Sequence, residues 1–139
     1  SPLLRLIAEL GDGIHSLSHV TGGGIAANLA RVLPKDTWVD VDRATWSPSP
    51  VFRVLADLGG LEIERTEGTW NLGIGFFAVV SPAAADAAIA ALRADGIDSW
   101  QVGVVSTGPR PAGDYEQGAK GVDGGAVRLV GGYRESGAN

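Results

Sequence analysis

Apolar and polar positions along the chain switch repeatedly between a helical and an alternating period. Residues 3–10 (LLRLIAEL) place apolar side chains at helical spacing and stop at Gly11, which predicts a helix. Its abrupt start reads as the tail of a longer helix or a linker from a preceding domain. Residues 14–20 are short, and extended or irregular structure is open there. After Thr21-Gly22-Gly23-Gly24, apolar residues recur at Ile25, Leu29, Val32 and Leu33, and Pro34 ends the pattern. A glycine-rich loop running into a helix is expected. Residues 37–41 (TWVDV) alternate and predict a strand. Ser47-Pro48-Ser49-Pro50 forms a turn before a helix over 51–58, which Gly59-Gly60 stops. Residues 61–68 are ambiguous, with a short helix as one reading.

The strongest strand is predicted over 72–80 (LGIGFFAVV), apolar on both faces as a covered central strand would be. Ser81 and Pro82 then open an Ala-rich helix as N-cap and first position, ending near Asp95 and Gly96. Residues 99–107 predict another strand. Residues 108–125 are rich in Gly, Pro and charge and read as a long mobile loop. Residues 126–130 read as a final edge strand, and 132–139 as a disordered tail. The expected fold class is α/β: an α+β sandwich with a mixed β-sheet packed with helices, in one domain over 1–131.

Bulk properties narrow the function. A chain of 139 residues with 45% hydrophobic residues fits one ordinary globular domain. No apolar run approaches the roughly 20 residues that span a bilayer, and no signal peptide is visible. Cysteine is absent, so disulfides and thiolate metal sites are excluded. A net charge of −5 without a basic stripe argues against nucleic acid as partner. A small phosphorylated ligand remains compatible, because backbone N–H groups bind phosphate without a local cation. A cytoplasmic location with no membrane partner is expected. The chain begins Ser-Pro and contains no Met, which suggests a fragment of a longer protein.

Two segments are candidates for chemistry. In the first, Thr21, Gly22, Gly23 and Gly24 precede a helix. Glycines let the backbone approach a ligand and adopt positive φ, and a helix start offers N–H donors and partial positive charge. The pattern is neither a Walker A sequence nor a G-x-G-x-x-G fingerprint, and a tight turn packed under a helix would look the same. His19, two residues upstream, suits a proton shuttle or phosphate partner, or equally a packed histidine. His15 and His19 lack a third ligand, so no metal site is expected. In the second segment, residues 68–75 (G-T-W-N-L-G-I-G), Asn71 stands where the buried strand is expected to begin. Its side chain can orient a ligand or fix a neighbouring loop. Gly73 and Gly75 share one face, open to a ligand, a bulge or close packing. Asp40 and Asp42 alternate on one strand face and read as a solvated face.

Taken together, H-V-T-G-G-G-I-A-A-N-L-A-R-V-L-P (residues 19–34) and G-T-W-N-L-G-I-G (residues 68–75) resemble the C-terminal domain of the phosphoribosylformylglycinamidine cyclo-ligase, or AIR synthetase, family. The resemblance runs from the first helix to W-Q-V-G-V-V (residues 100–105); residues 108–125 and the tail fit less well. Two departures are mild: Val20 where Ile is common, and Trp70 in place of Phe before Asn71. The resemblance implies an ATP-dependent enzyme of de novo purine biosynthesis. Its N-terminal domain would supply most of the ATP and magnesium site and the main contact of a homodimer. In that reaction ATP phosphorylates the formyl oxygen of formylglycinamidine ribonucleotide. The amidine nitrogen then attacks the activated carbon, phosphate leaves, and the imidazole ring of aminoimidazole ribonucleotide closes. On this resemblance Thr21, Gly22, Gly23, Gly24 and Asn71 would bind the substrate, with His19 as the catalytic candidate and no metal on this chain. The fragment alone would be inactive. Other readings are a non-catalytic anion-binding or protein-interaction module, and a domain of a sister ATP-dependent enzyme such as a selenophosphate synthetase.

Overall fold

The computed structural model describes residues 1–118 and 123–135. They fall into two compact units. The first comprises residues 1–17 and 78–101, the second residues 18–77 and the chain from Val102 onward. Strands β1 (Ile14–His19) and β3 (Phe76–Val80) pair in a two-stranded sheet, and the division between the units falls within both.

In the first unit, helix α1 (Pro2–Leu10) packs on α4 (Ala85–Ala94). Leu6 and Ala88 are buried, and Arg5 pairs with Asp95 at 2.7 Å. The predicted Pro82 helix begins as a short 3-10 turn, Pro82–Ala84, and Ser81 makes no side-chain cap. Its end follows the sequence signal. Gly96 takes a φ of 76°, its amide donates to the Arg93 carbonyl, and the Ile97 amide donates to that of Leu92, a Schellman-type stop.

The second unit is built on a four-stranded mixed sheet, as expected for the fold class, with order β4-β2-β6-β5. Strand β2 (Thr37–Asp42) runs parallel to β6 (Ala126–Val130) and antiparallel to β4 (Ser106–Thr107). Strand β5 (Glu116–Gln117) pairs antiparallel with β6. Helix α2 (Gly24–Ala30) packs on β6 and β5, and its Ile25 and Leu29 are buried, as are Val39, Val41 and Val127 of the sheet. Helix α3 (Pro50–Leu58) follows the Ser-Pro turn as predicted. It buries Ala56 but leaves Val51, Val54, Leu55 and Leu58 exposed.

Several sequence expectations are corrected. Residues 126–130 form an internal strand, not an edge. Its outer side is covered by β5, which comes from the segment read as a loop. In the register Asp40 lies opposite Arg128. Arg128 grips its carboxylate through Nε at 3.2 Å and Nη2 at 2.8 Å, and the Tyr115 hydroxyl donates to it at 2.8 Å. A paired guanidinium can sit on an internal strand where an unpaired one would not. Asp40 is therefore not part of a merely solvated face. Asp42 is also engaged, its Oδ1 accepting from the Ala44 amide at 2.9 Å.

The segment 108–125 is not wholly a loop, because it supplies β5 and the Tyr115 anchor; residues 119–122 lie outside the described residues. The strand predicted over 99–107 keeps ladder pairing only at Ser106–Thr107. Upstream, the Val102 carbonyl accepts from the Asp42 amide at 2.9 Å. The glycine that follows allows close packing, since a Cβ on Gly103 would stand 3.1 Å from Val39 Cγ2. The strand predicted from residue 72 begins only at Phe76, because residues 71–74 make a turn. It is not a covered central strand, and Phe76 is exposed. Within the segment read as a disordered tail, Tyr133 and Arg134 make contacts, while residues 136–139 lie outside the described residues.

Candidate functional site

The glycine turn grows out of the end of β1. The Val20 amide donates to the Gly75 carbonyl at 2.9 Å, and the exposed His19 ring stacks on Phe76 at 4.7 Å and 15°. Gly24 N–H then donates to the Thr21 carbonyl at 3.3 Å. Gly23 sits at φ 101°, ψ −6°, the third position of a type II turn, where a side chain is disfavoured. Gly24 follows at φ 83° and is buried. Asn28, one helical turn on, locks this arrangement. Its Nδ2 donates to the carbonyls of Gly24 at 2.6 Å and Thr21 at 3.2 Å. Its own carbonyl accepts from the Ser18 hydroxyl at 2.7 Å.

Residues 67–75 lie against this turn, and the two sequence motifs are fastened together at both ends. At one end Val20 meets Gly75. At the other the Ile25 amide donates to the Glu67 carbonyl at 3.1 Å. A Cβ on Gly24 would overlap that carbonyl and stand 2.6 Å from the Gly68 Cα. Glycine is thus needed at position 24 for packing between two backbones.

Asn71 organises its own turn. The Ile74 amide donates to the Asn71 carbonyl at 2.9 Å, and Leu72 and Gly73 between them have φ of 51° and 93°, the pattern of a type I′ turn. Asn71 Oδ1 accepts from the Gly73 amide at 3.0 Å. Its Nδ2 donates to none of the described residues. Leu72 is fully buried, and that burial holds a non-glycine residue in the left-handed region.

These bonds change which donors are free. The start of α2 was the expected anion-binding feature, but Gly24 and Ile25 N–H are already committed, and the helix has only seven residues. The amides of Gly22 and Gly23 donate to none of the described residues and are exposed. Around the turn the open polar groups therefore include the Gly22 and Gly23 amides and the His19 imidazole, and Arg31 Nη2 stands 3.8 Å from where a Cβ of Gly23 would be. The Thr21 hydroxyl keeps a long contact of 3.4 Å to Asn28 Oδ1.

Sequence reasoning missed the groups behind the turn. Asn28 lies within the family-like segment 19–34, but its part in closing the turn was not read from the sequence. Arg43 and Glu67 form a two-pronged ion pair, Nε to Oε1 at 2.6 Å and Nη2 to Oε2 at 2.9 Å. The Tyr133 hydroxyl donates to Glu67 Oε1 at 2.6 Å. Burial pushes the Tyr133 phenol well above the ordinary tyrosine range, and its bond to Glu67 adds to this. The hydrogen bond to Glu67 also raises the Arg43 guanidinium above its usual value. No local motif joins positions 43, 67 and 133, so periodicity could not reveal them.

Among the described residues no group of three or more His, Asp or Glu side chains is placed to hold a metal ion. No helix among them is long and apolar enough to cross a membrane.

Fold and turns together define a mixed α/β domain with a glycine-rich turn packed on the segment that carries the Asn71 turn. Residues 2–116 match the model of the family described as AIR synthase related protein, C-terminal domain, and the chain belongs to that family. It is 43% identical over 120 residues to a provisionally named phosphoribosylformylglycinamidine cyclo-ligase of Streptomyces fradiae, covering 86% of this chain and 61% of that protein. It is 40% identical over 106 residues to the phosphoribosylformylglycinamidine cyclo-ligase of Xanthomonas campestris pv. campestris, covering 76% of this chain and 31% of the relative. The Sorangium cellulosum enzyme of the same name is 43% identical over 110 residues, with 78% and 32% covered. The chain thus spans less than two thirds of the length of these relatives.

Proposed function

We propose that this chain is the substrate-side, C-terminal domain of an ATP-dependent phosphoribosylformylglycinamidine cyclo-ligase. In this reading it serves de novo purine biosynthesis, in the cytoplasm, within a homodimer of the longer enzyme. The observation that carries the reading is the fastening of the two family segments at Val20–Gly75 and Ile25–Glu67, which leaves the Gly22 and Gly23 amides open.

The Gly22 and Gly23 amides, with the Thr21 hydroxyl, hold the phosphate of formylglycinamidine ribonucleotide. Adjacent N–H groups on a tight turn form an anion-binding concavity, and the Arg31 guanidinium stands beside it, its Nη2 3.8 Å from where a Cβ of Gly23 would be. Gly24 acts indirectly, by letting the turn seat against residues 67–68. The Asn71 amide nitrogen and the His19 imidazole orient or polarise the part of the substrate that reacts. No step is assigned to a metal held by this chain. ATP and magnesium belong to the N-terminal part of the longer enzyme.

Gly22→Val tests the reading. Position 22 has open space around it and no positive φ, so the substitution shields the amides without straining the fold. A polypeptide joining this chain to an N-terminal domain of the family should convert the amidine ribonucleotide with ATP. Gly22→Val should raise its KM for the ribonucleotide by on the order of tenfold or more, the loss expected for charge-assisted hydrogen bonds. Unchanged KM and turnover would refute the assignment of the turn.

A further inference from the structure

Glu67 stands between the glycine turn and the C-terminal ends of the two parallel strands. Its carbonyl accepts from Ile25 at 3.1 Å and packs where a Cβ of Gly24 would be. Its carboxylate receives both prongs of Arg43 and the Tyr133 hydroxyl. Arg43 directly follows β2, and its Nη1 donates at 2.9 Å to the carbonyl of Gly131, which directly follows β6. The Tyr133 ring in turn packs edge-on against Trp46 at 5.1 Å. The pair is well shielded, with the Arg43 and Glu67 side chains 17% and 15% exposed.

We infer that Arg43 and Tyr133 are positioning residues for the glycine turn, acting through Glu67. A two-pronged guanidinium–carboxylate pair fixes both the distance and the plane of the carboxylate. Gly68 follows immediately, with open space where its own Cβ would be, so the backbone there is not specified by a side chain. The anchored carboxylate therefore sets where the Glu67 carbonyl stands, and that carbonyl sets the start of α2 and the direction of the Gly22 and Gly23 amides. An ion pair serving stability alone would show the same bonds but no selective effect on the turn. The inference rests on the proposed substrate-facing role of the turn for its functional meaning, though not for its physical test.

The test is amide hydrogen exchange, followed by NMR, on the 139-residue chain and two variants. Tyr133→Phe removes one donor while keeping the ring against Trp46. Glu67→Gln removes the charge while keeping size and carbonyl. In both, the Ile25 amide should exchange faster, by on the order of tenfold in Glu67→Gln, through local opening. The Val41 amide, at the sheet centre, should keep its rate. Inorganic phosphate should shift the Gly22 and Gly23 resonances of the parent chain, and less so those of the variants. An unchanged Ile25 rate, or Ile25 and Val41 rates rising in step, would overturn the inference. Should Glu67→Gln not fold, Tyr133→Phe decides alone. If phosphate leaves Gly22 and Gly23 of the parent unmoved, the anion-binding reading fails, while the exchange rates still judge the clamp.

Discussion

The Asn28 side-chain amide donates to the carbonyl of Gly24 at 2.6 Å from one helical turn away, and reaches the Thr21 carbonyl at 3.2 Å with the same nitrogen. One buried side chain thus closes the glycine turn from inside. The arrangement requires a donor at that atom, since both facing groups are carbonyl oxygens.

Asn28→Asp should therefore be worse than its small change in size suggests. It sets an acceptor-only carboxylate against two carbonyls in a site that is 4% exposed. A loss of roughly 2–4 kcal/mol is expected from the unsatisfied carbonyls and the buried charge. Urea unfolding of the chain measures it. A loss smaller than that of Asn28→Ala would mean that the amide donor is not what closes the turn.

The three glycines should separate by mechanism. Gly24→Ala collides with backbone on the Glu67 side and holds a side chain at φ 83°, so a loss of about 3 kcal/mol or more is expected. Gly23→Ala meets only the end of the Arg31 side chain, at an ordinary contact distance of 3.8 Å, but sits at φ 101°, which costs about 1–2 kcal/mol. Gly22→Ala has neither obstacle and should stay within about 0.5 kcal/mol of the parent. Thermal or urea unfolding of the three variants gives the order directly. Equal losses would show that the turn is not shaped as described.

Much of the fold was legible because its signals are local. Gly11, Gly59-Gly60 and Gly96 mark ends that depend on a few neighbouring residues, whereas α2 ends at Ala30, short of Pro34. The errors share another cause. Strand β6 is internal because β5 covers its outer side, and β5 comes from the Gly- and Pro-rich segment that reads as a loop. Residues 72–75 looked like strand because Leu and Ile are β-compatible, whereas Asn71 and Gly73 turn the chain there through an Asx bond. At the site, the glycines and Asn71 were visible as a motif. The clamp behind them was not, since Arg43, Glu67 and Tyr133 meet only once the parallel strands are paired.

Asn71 offers a way to separate turn from ligand. Asn71→Asp keeps an oxygen that accepts from Gly73, so the turn should survive with stability within about 0.5 kcal/mol. It removes the free amide donor and adds negative charge beside the proposed phosphate-binding turn. Binding of the ribonucleotide by the longer enzyme should therefore weaken well beyond any change in folding. Leu72→Ala should do the reverse. It removes a fully buried side chain while leaving the positive φ, for a loss of about 2–4 kcal/mol. If Asn71→Asp bound as tightly as the parent, Asn71 would have only the structural role.

The Asp40–Arg128 pair makes the sheet sensitive to acid in a defined window. The hydrogen bond from Arg128 holds the Asp40 carboxyl below the ordinary aspartate range, and the Tyr115 hydroxyl helps against the opposing effect of burial. A carboxyl whose folded value lies below its unfolded one contributes stability that is fully present above the unfolded value, about 3.9. That contribution is lost as the pH falls through the folded value. Asp40→Asn should therefore be less stable than the parent near neutral pH, and the gap should narrow as the pH drops below about 4. Added salt should narrow it only modestly, because the pair is partly shielded, with side chains 28% and 22% exposed. Chemical unfolding of both proteins across this range reads the gap. A gap that is constant from neutral to acidic pH would show that the charge of Asp40 is not what β6 depends on. The Tyr115 and backbone contacts would then be what lets Arg128 lie on an internal strand.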